Sequence, residues 1–220
     1  MKHITKDLSL ALAYKKWLEN LNKKKLDHPE YKSSFKFYKD VVGNLLWVQK
    51  GLCAYTEMFL LDPERVSPKN WNKGRITDFD FMGHLDHYDS SLKPEKGWEW
   101  DNFFVVHSDV NVKVKGQKKV NSILKPDKAG YNPFYYLRYD FKTHNFYPNS
   151  ERELSLQNKI LEDINTLGLN YQPIIDYRKE YLNPIIDDVL IGQKTVQQGK
   201  DMLQKFNTAF LMSIQSLGLE

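Results

Sequence analysis

The sequence is poor in cysteine and in long apolar runs. Cys53 is the single cysteine among 220 residues, so the chain cannot form an internal disulfide bond, which is typical of a reducing compartment. No apolar run reaches the roughly 18 residues that a membrane-spanning helix needs. The N-terminal stretch lacks the unbroken apolar segment of a signal peptide. We therefore expect a cytoplasmic protein that makes no use of a membrane.

Positive charge is in small excess over negative charge. The net charge of +4 is too modest by itself to indicate a nucleic-acid-binding protein. Its distribution is more informative, because the segment from Lys113 to Lys128 carries six lysines and only one acidic residue, Asp127. Such a segment suits contact with phosphate groups, although a solvated lysine-rich face has the same composition.

Apolar residues, in contrast, are plentiful enough for a folded core. Hydrophobic residues make up 41% of the chain and the mean hydropathy is -0.61, which together predict a globular protein with a polar surface. Helical spacing of apolar residues predicts two N-terminal helices, at roughly 7–24 and 29–50, and three more helices beyond Ser150.

The middle of the chain has a different pattern. Short apolar runs predict strands in CAYTEMFLL, ITDFDFMGHLDHY and FFVVH, and the alternation in FYYLRYDFKTHNFYPN predicts a hairpin. The sequence therefore predicts an α+β fold that is mainly helical. Its expected parts are an N-terminal helical part (1–50), a strand-containing insert (51–148) and a C-terminal helical part (149–220), which are able to form one domain.

Two histidines and an acid lie within four positions of the segment HLDHYDSS, residues 84–91. A neutral imidazole accepts protons near physiological pH and a carboxylate binds a hard cation, so the segment is a candidate for a metal-dependent active site. A solvated turn explains the same composition. The residues that follow have to decide between the two.

Those residues come in a recognisable order. Asp86 and His87 end a predicted strand, Asn102 lies in the loop WEWDNFFVV, and Asn111 lies on the predicted helix of HSDVNVKVKG. This order resembles the ββα-metal finger of HNH nucleases, in which such residues surround one divalent metal. A closer resemblance also includes the stretches CAYTE, KPDKAGYNPFYYLRYDF and LGLNYQPIIDYRKEYL. With these, the chain is similar over roughly residues 30–185 to the HNH proteins of Septu-type bacterial anti-phage systems, which work beside an ATPase.

Each of these residue types suits a role in phosphodiester hydrolysis. His87 is the predicted general base, which takes a proton from the attacking water. Asp86 and Asn111 are the predicted oxygen ligands of one Mg²⁺ or Mn²⁺ ion. Asn102 is expected to hydrogen-bond the backbone and so to keep His87 aimed at the water. The predicted nucleic-acid contacts are Lys113, Lys115, Lys118, Lys119 and Lys125.

Other interpretations of the same residues stay open. His84 shares a strand face with Asp86 and is able to replace it or His87. A turn cap also explains Asn102, and a place on an exposed helix surface also explains Asn111. Asp109 fits the first turn of the helix better than it fits a metal site.

The sequence departs from those HNH proteins that carry two Cys-x-x-Cys knuckles around a structural zinc ion. The four ligand positions correspond here to Cys53, Thr56, His107 and Val110, of which two are not metal ligands. We therefore expect no structural zinc. Packing then has to hold the finger, and the expected core residues are Tyr55, Phe59, Phe103, Phe104 and Val106.

The resemblance implies a metal-dependent endonuclease that hydrolyses DNA in anti-phage defence, with an ATPase as its protein partner. Lysine contacts to phosphate give affinity without sequence specificity, so targeting is expected from the partner or from the helical ends. Two alternatives stay open: a self-sufficient restriction-type endonuclease, and a catalytically inactive subunit that binds nucleic acid or acts as a scaffold.

Overall fold

Helices dominate the computed structural model, which describes residues 1–219. The chain is α+β and 46% helical, and within the described residues it forms three small two-stranded sheets. The predicted class, α+β and mainly helical, is therefore confirmed. Nowhere in this part of the chain does a helix combine the length and the apolar character that crossing a membrane demands.

The two predicted N-terminal helices are present but shorter than expected. They are α1 (Leu12–Lys23) and α2 (Tyr38–Val48). The side chain of Asn44 accepts hydrogen bonds from the N–H groups of Leu10 and Ala11 at 3.0 and 2.9 Å, and donates to the carbonyl of Asp7 at 2.7 Å. Because these bonds satisfy the backbone groups outside a helix, α1 does not begin before Leu12.

Aromatic packing delays the start of α2. The ring centroids of Tyr31 and Phe35 lie 5.1 and 4.3 Å from Trp98, and that of Phe37 lies 5.6 Å from Trp17. These partners belong to distant parts of the chain. The tertiary contacts therefore override the helical spacing of residues 29–37.

The middle of the chain holds all the strands within the described residues. Its elements are β1 (Trp71–Asn72), β2 (Arg75–Ile76), β3 (His84–His87), α3 (Lys93–Lys96), β4 (Phe103–Val106), a π-helix (Val110–Lys115), α4 (Pro133–Tyr136), β5 (Leu137–Asp140) and β6 (Asn145–Pro148). Each strand pairs antiparallel with its neighbour, β1 with β2, β3 with β4 and β5 with β6. The predicted hairpin is thus confirmed, and the β3–β4 pair is followed directly by a short helix.

The predicted strand in CAYTEMFLL is wrong, because the segment forms a tight turn. The N–H of Cys53 donates to the carbonyl of Met58 at 2.8 Å, and the N–H of Glu57 donates to the carbonyl of Cys53 at 3.0 Å. One isolated bridge, between Leu52 and Phe59, is the only strand-like pairing of this segment. The apolar run reflects burial in a turn rather than a strand, an ambiguity that periodicity alone does not resolve.

Four helices follow the hairpin where three were predicted. They are α5 (Leu154–Thr166), α6 (Gln172–Leu190), α7 (Val196–Asp201) and α8 (Asn207–Ser216). Phe206 has a left-handed backbone with φ of 59° and separates α7 from α8. α5 packs on β6 and α8 packs on β5. Buried side chains from Met1 to Ile214 form one cluster, so the three predicted parts share a core.

Candidate active site

A cavity of about 820 Å³ opens beside β3 and is lined by three of the four predicted site residues, Asp86, His87 and Asn111, but not by Asn102. In the β3–β4 pair, Asp86 lies opposite Phe104 and His87 opposite Phe103. The π-helix follows β4 closely and contributes a further part of the wall. The side chains that matter for chemistry in this wall are Tyr31, His84, Asp86, His87, Lys93 and Asn111.

His87 is held in one orientation and one tautomer. Its Nε2 lies 2.9 Å from the carbonyl oxygen of Gly97, and because a carbonyl only accepts, Nε2 carries the hydrogen. Nδ1 is then the unprotonated ring nitrogen. The rings of Tyr31 and Phe103 pack against the imidazole at 4.6 and 4.8 Å. Burial lowers the pKa of His87 to about 4, so the ring is neutral at pH 7 and has a free lone pair.

Asn102 connects the start of β4 to the chain that leaves β3. Its Oδ1 accepts a hydrogen bond from the N–H of Asp89 at 2.8 Å, and its Nδ2 donates to the carbonyl of the same residue at 2.9 Å. The side chain is buried. Asn102 therefore fixes the backbone two residues beyond His87. None of its side-chain hydrogen bonds goes to the imidazole.

Asp86 lies at the floor of the cavity and is only 5% exposed. Its Oδ1 lies 3.1 Å from the Nζ of Lys115, and its Oδ2 accepts a hydrogen bond from the hydroxyl of Tyr55 at 2.5 Å. Burial raises the pKa of Asp86, while the Lys115 ammonium and the Tyr55 hydroxyl act in the opposite direction. Both oxygens of the predicted metal ligand are thus engaged by donors of the protein itself.

Asn111 lies in the wall of the same cavity, on the π-helix. A carboxylate and an amide supply hard oxygen donors, and Mg²⁺ keeps several of its water ligands in most protein sites. Within residues 1–219 no group of three or more His, Cys, Asp or Glu side chains is arranged to hold a metal ion. The pair Asp86 and Asn111 therefore fits Mg²⁺ or Mn²⁺ only as a sparse, water-rich site. The Lys115 ammonium is the feature that opposes it.

The five predicted nucleic-acid contacts fall into two groups. Lys113, Lys118 and Lys119 are exposed, as a phosphate contact requires. Lys125 is half-buried, and its Nζ contacts the Asp127 carboxylate and a backbone carbonyl. Lys115 differs most from its predicted place: its side chain is 0% exposed and is bound to Asp86 instead of facing solvent. In this arrangement its ammonium is out of reach of a nucleic acid at the surface.

Of the four positions that correspond to a zinc site, Cys53 and His107 are in contact. The N–H of His107 donates to Sγ of Cys53 at 3.3 Å, while Thr56 and Val110 are buried. Of the side chains expected to replace zinc as the core, four are fully buried: Tyr55, Phe103, Phe104 and Val106. Phe59 is the exception, at 36% exposed.

Several residues that shape the site were not predicted from the sequence. Gln49 takes the place of a missing strand neighbour, since its side chain exchanges two hydrogen bonds with the backbone of Val105 at 2.8 and 2.9 Å. Lys93 lines the cavity, and the carbonyl of Gly97 fixes the His87 tautomer. Lys93 could have been predicted from the sequence, because it is a cation in the loop after the Asp-His pair. Gln49 and Gly97 could not, because they act through contacts with backbone groups, which residue type does not reveal.

Comparison with known proteins adds no further assignment. A scan against protein-family models finds no match for the chain. A search of the curated proteins finds no significant match either.

Proposed function

We propose that the chain is a metal-dependent endonuclease of the HNH type, which hydrolyses phosphodiester bonds with His87 as its general base. One observation carries this proposal. His87 has an unprotonated Nδ1 and lines one cavity together with Asp86 and Asn111, the two oxygen donors that suit a hard cation. A core histidine held only for packing needs no such neighbours.

In the proposed reaction, a water molecule attacks the phosphorus while its proton passes to Nδ1 of His87. The bond from phosphorus to the leaving oxygen breaks, and solvent supplies the proton that this oxygen takes up. The carbonyl of Gly97 holds the other ring nitrogen, which keeps the imidazole oriented as it gains charge. A bound Mg²⁺ or Mn²⁺ would stabilise the negative charge on the phosphoryl and leaving oxygens.

The substrate proposed is DNA, and the proposed partner is an ATPase in anti-phage defence within the cytoplasm. These points rest on the resemblance to HNH proteins of Septu-type systems. The exposed lysines Lys113, Lys118 and Lys119 support contact with a phosphate backbone, but they do not distinguish DNA from RNA.

A nicking assay tests the proposal. Supercoiled plasmid is incubated with the purified chain and Mg²⁺ or Mn²⁺, and the relaxed form is quantified over time. We expect His87→Ala to lower the rate by about 10²-fold or more, because proton transfer by a positioned base contributes that much. EDTA is expected to stop the wild-type reaction.

The matched control is His3→Ala, which removes an exposed histidine outside the cavity and should leave the rate unchanged. Equal nicking by wild type and His87→Ala would contradict the role of His87. No metal-dependent nicking by wild type, alone or with a co-purifying ATPase, would contradict the enzyme itself.

One observation favours a second function, that of a catalytically inactive nucleic-acid-binding subunit. Asp86 already has a cation and a hydroxyl donor at its two oxygens, which is an arrangement that a decayed metal site would also show. Equilibrium dialysis with Mn²⁺ separates the two functions. An enzyme should bind Mn²⁺ and lose that binding in Asp86→Ala, whereas an inactive subunit should bind none.

A further inference from the structure

Lys115 is the buried cation of the site, and its ammonium contacts two acceptors of the protein. Its Nζ lies 3.1 Å from Oδ1 of Asp86 and donates to the carbonyl of His87 at 2.8 Å. Both acceptors belong to β3, while Lys115 ends the π-helix, so one ammonium joins the strand of the Asp-His pair to the helix of Asn111. A lysine that served only as a surface phosphate contact would have neither bond.

We propose that Lys115 is an internal counter-cation that a divalent metal has to displace from Asp86, so that the free protein holds its own metal affinity down. The inference rests on the proposed metal-dependent function and adds that Lys115 regulates metal binding. In the free protein the Lys115 ammonium balances the charge of Asp86. When a metal binds, that carboxylate oxygen changes partner.

The argument for competition is electrostatic. A divalent cation and an ammonium at one buried carboxylate repel each other strongly, because the low local dielectric leaves that repulsion poorly screened. Neither oxygen of Asp86 is without a protein donor, since Tyr55 takes the second. Of the two donors only the Lys115 ammonium is charged, so it is the one that a metal at Asp86 repels and has to displace.

Lys115 is the donor better able to leave. The next two residues, Gly116 and Gln117, line the cavity, so open space lies close to the flexible stem of Lys115. Tyr55 is rigid and fully buried, and its ring packs against Tyr88 and Phe104 at 6.2 and 6.0 Å. Moreover, π-helical turns such as the one that ends at Lys115 are rare and concentrate at functional sites.

The first experiment measures the affinity for Mn²⁺ alone by isothermal titration calorimetry. The full-length variants are Lys115→Met and the matched control Lys23→Met, which removes an exposed lysine at the last residue of α1. We expect Lys115→Met to bind Mn²⁺ on the order of tenfold more tightly than wild type, because a competing charge is gone. Lys23→Met should bind like wild type. Equal or weaker binding by Lys115→Met, including no binding at all, overturns the inference.

A second measurement covers the case in which Lys115→Met is too unstable to fold. In wild type, lysine acetylation read by mass spectrometry should find Lys115 protected without metal and reactive at saturating Mn²⁺. Lys23 is the internal reference and should react under both conditions. Unchanged protection of Lys115 while Mn²⁺ is bound overturns the inference.

The two proposals fail separately. Plasmid nicking that depends on His87 stands even if Lys115 never moves, and in that case only the counter-cation is lost. Conversely, a gain of Mn²⁺ affinity in Lys115→Met stands even if no plasmid is cut, and in that case the nuclease function is lost while the competition at Asp86 holds.

Discussion

Asn102 shows how one buried side chain positions the site without touching the reacting groups. Its amide satisfies both backbone groups of Asp89, a pairing that Ala cannot supply. We expect Asn102→Ala to lower the free energy of unfolding by about 2 kcal/mol, because it leaves a partly buried donor and acceptor without partners. Urea unfolding followed by tryptophan fluorescence measures this change.

The comparison variant for Asn102 is Asn145→Ala. The Asn145 side chain makes a single long bond of 3.4 Å to the carbonyl of Thr143, and its loss should cost less than about 0.5 kcal/mol. If Asn102→Ala were no more destabilised than Asn145→Ala, the two bonds to Asp89 would not be what holds this part of the chain.

Lys115 marks the limit of what residue types reveal about the site. Asp86, His87, Asn102 and Asn111 were predicted from the sequence, because their order and chemistry are local features of short segments. Lys115 was expected to contact a phosphate of the nucleic acid, since it lies four residues after Asn111 on the same helix face. Its burial depends on Asp86, which lies 29 residues earlier in the chain, and no local pattern records that pairing.

A side chain of α5 holds the backbone of residues 121–124 in the lysine-rich segment. Asp163, fully buried on α5, accepts hydrogen bonds from the backbone N–H groups of Asn121 at 2.7 Å, Ile123 at 3.0 Å and Leu124 at 3.2 Å. Burial raises the pKa of Asp163, and these three donors offset part of that effect. One carboxylate thereby ties the chain after the exposed lysines to the C-terminal helices.

We expect Asp163→Ala to destabilise the fold by about 3 kcal/mol, because three backbone donors lose their acceptor. The loss should be local first. Hydrogen exchange should speed up at Asn121, Ile123 and Leu124 before it does in β5 and β6. Equal protection of those three amides in wild type and Asp163→Ala would contradict this role of Asp163.

How well an element could be predicted depended on where its partners lie. β4 and the β5–β6 hairpin were predicted at their places, because an unbroken apolar run and a near-alternation rich in aromatic residues are local patterns of a few residues. The bounds of α1 and α2 were not, since Asn44 and Trp98 decide them from elsewhere in the chain. Contacts that are distant in sequence, rather than weak propensities, account for these errors.

Across the chain, Glu57 links the turn beside the site to the first residue and to α8. Its carboxylate accepts hydrogen bonds from the backbone N–H of Thr208, at 3.0 Å, and from the Thr208 hydroxyl. The amino group of Met1 lies 3.0 Å away. Burial alone would raise the pKa of Glu57, but the Met1 amino group and Thr208 outweigh it and lower the pKa to about 2.

That lowered pKa predicts how stability depends on pH. A carboxyl that is harder to protonate in the folded state stabilises the fold above its unfolded pKa, near 4.5, and this contribution is lost as the pH falls towards 2. Between pH 6 and pH 3 the loss due to Glu57 should be about 2 kcal/mol, since about 1.5 pKa units lie between the unfolded value and pH 3. In Glu57→Gln the same interval should cost about 2 kcal/mol less than in wild type, as measured by urea unfolding at both pH values. Other carboxyls titrate alike in the two proteins, so parallel pH profiles for wild type and Glu57→Gln would show that the buried contacts of Glu57 do not control acid stability.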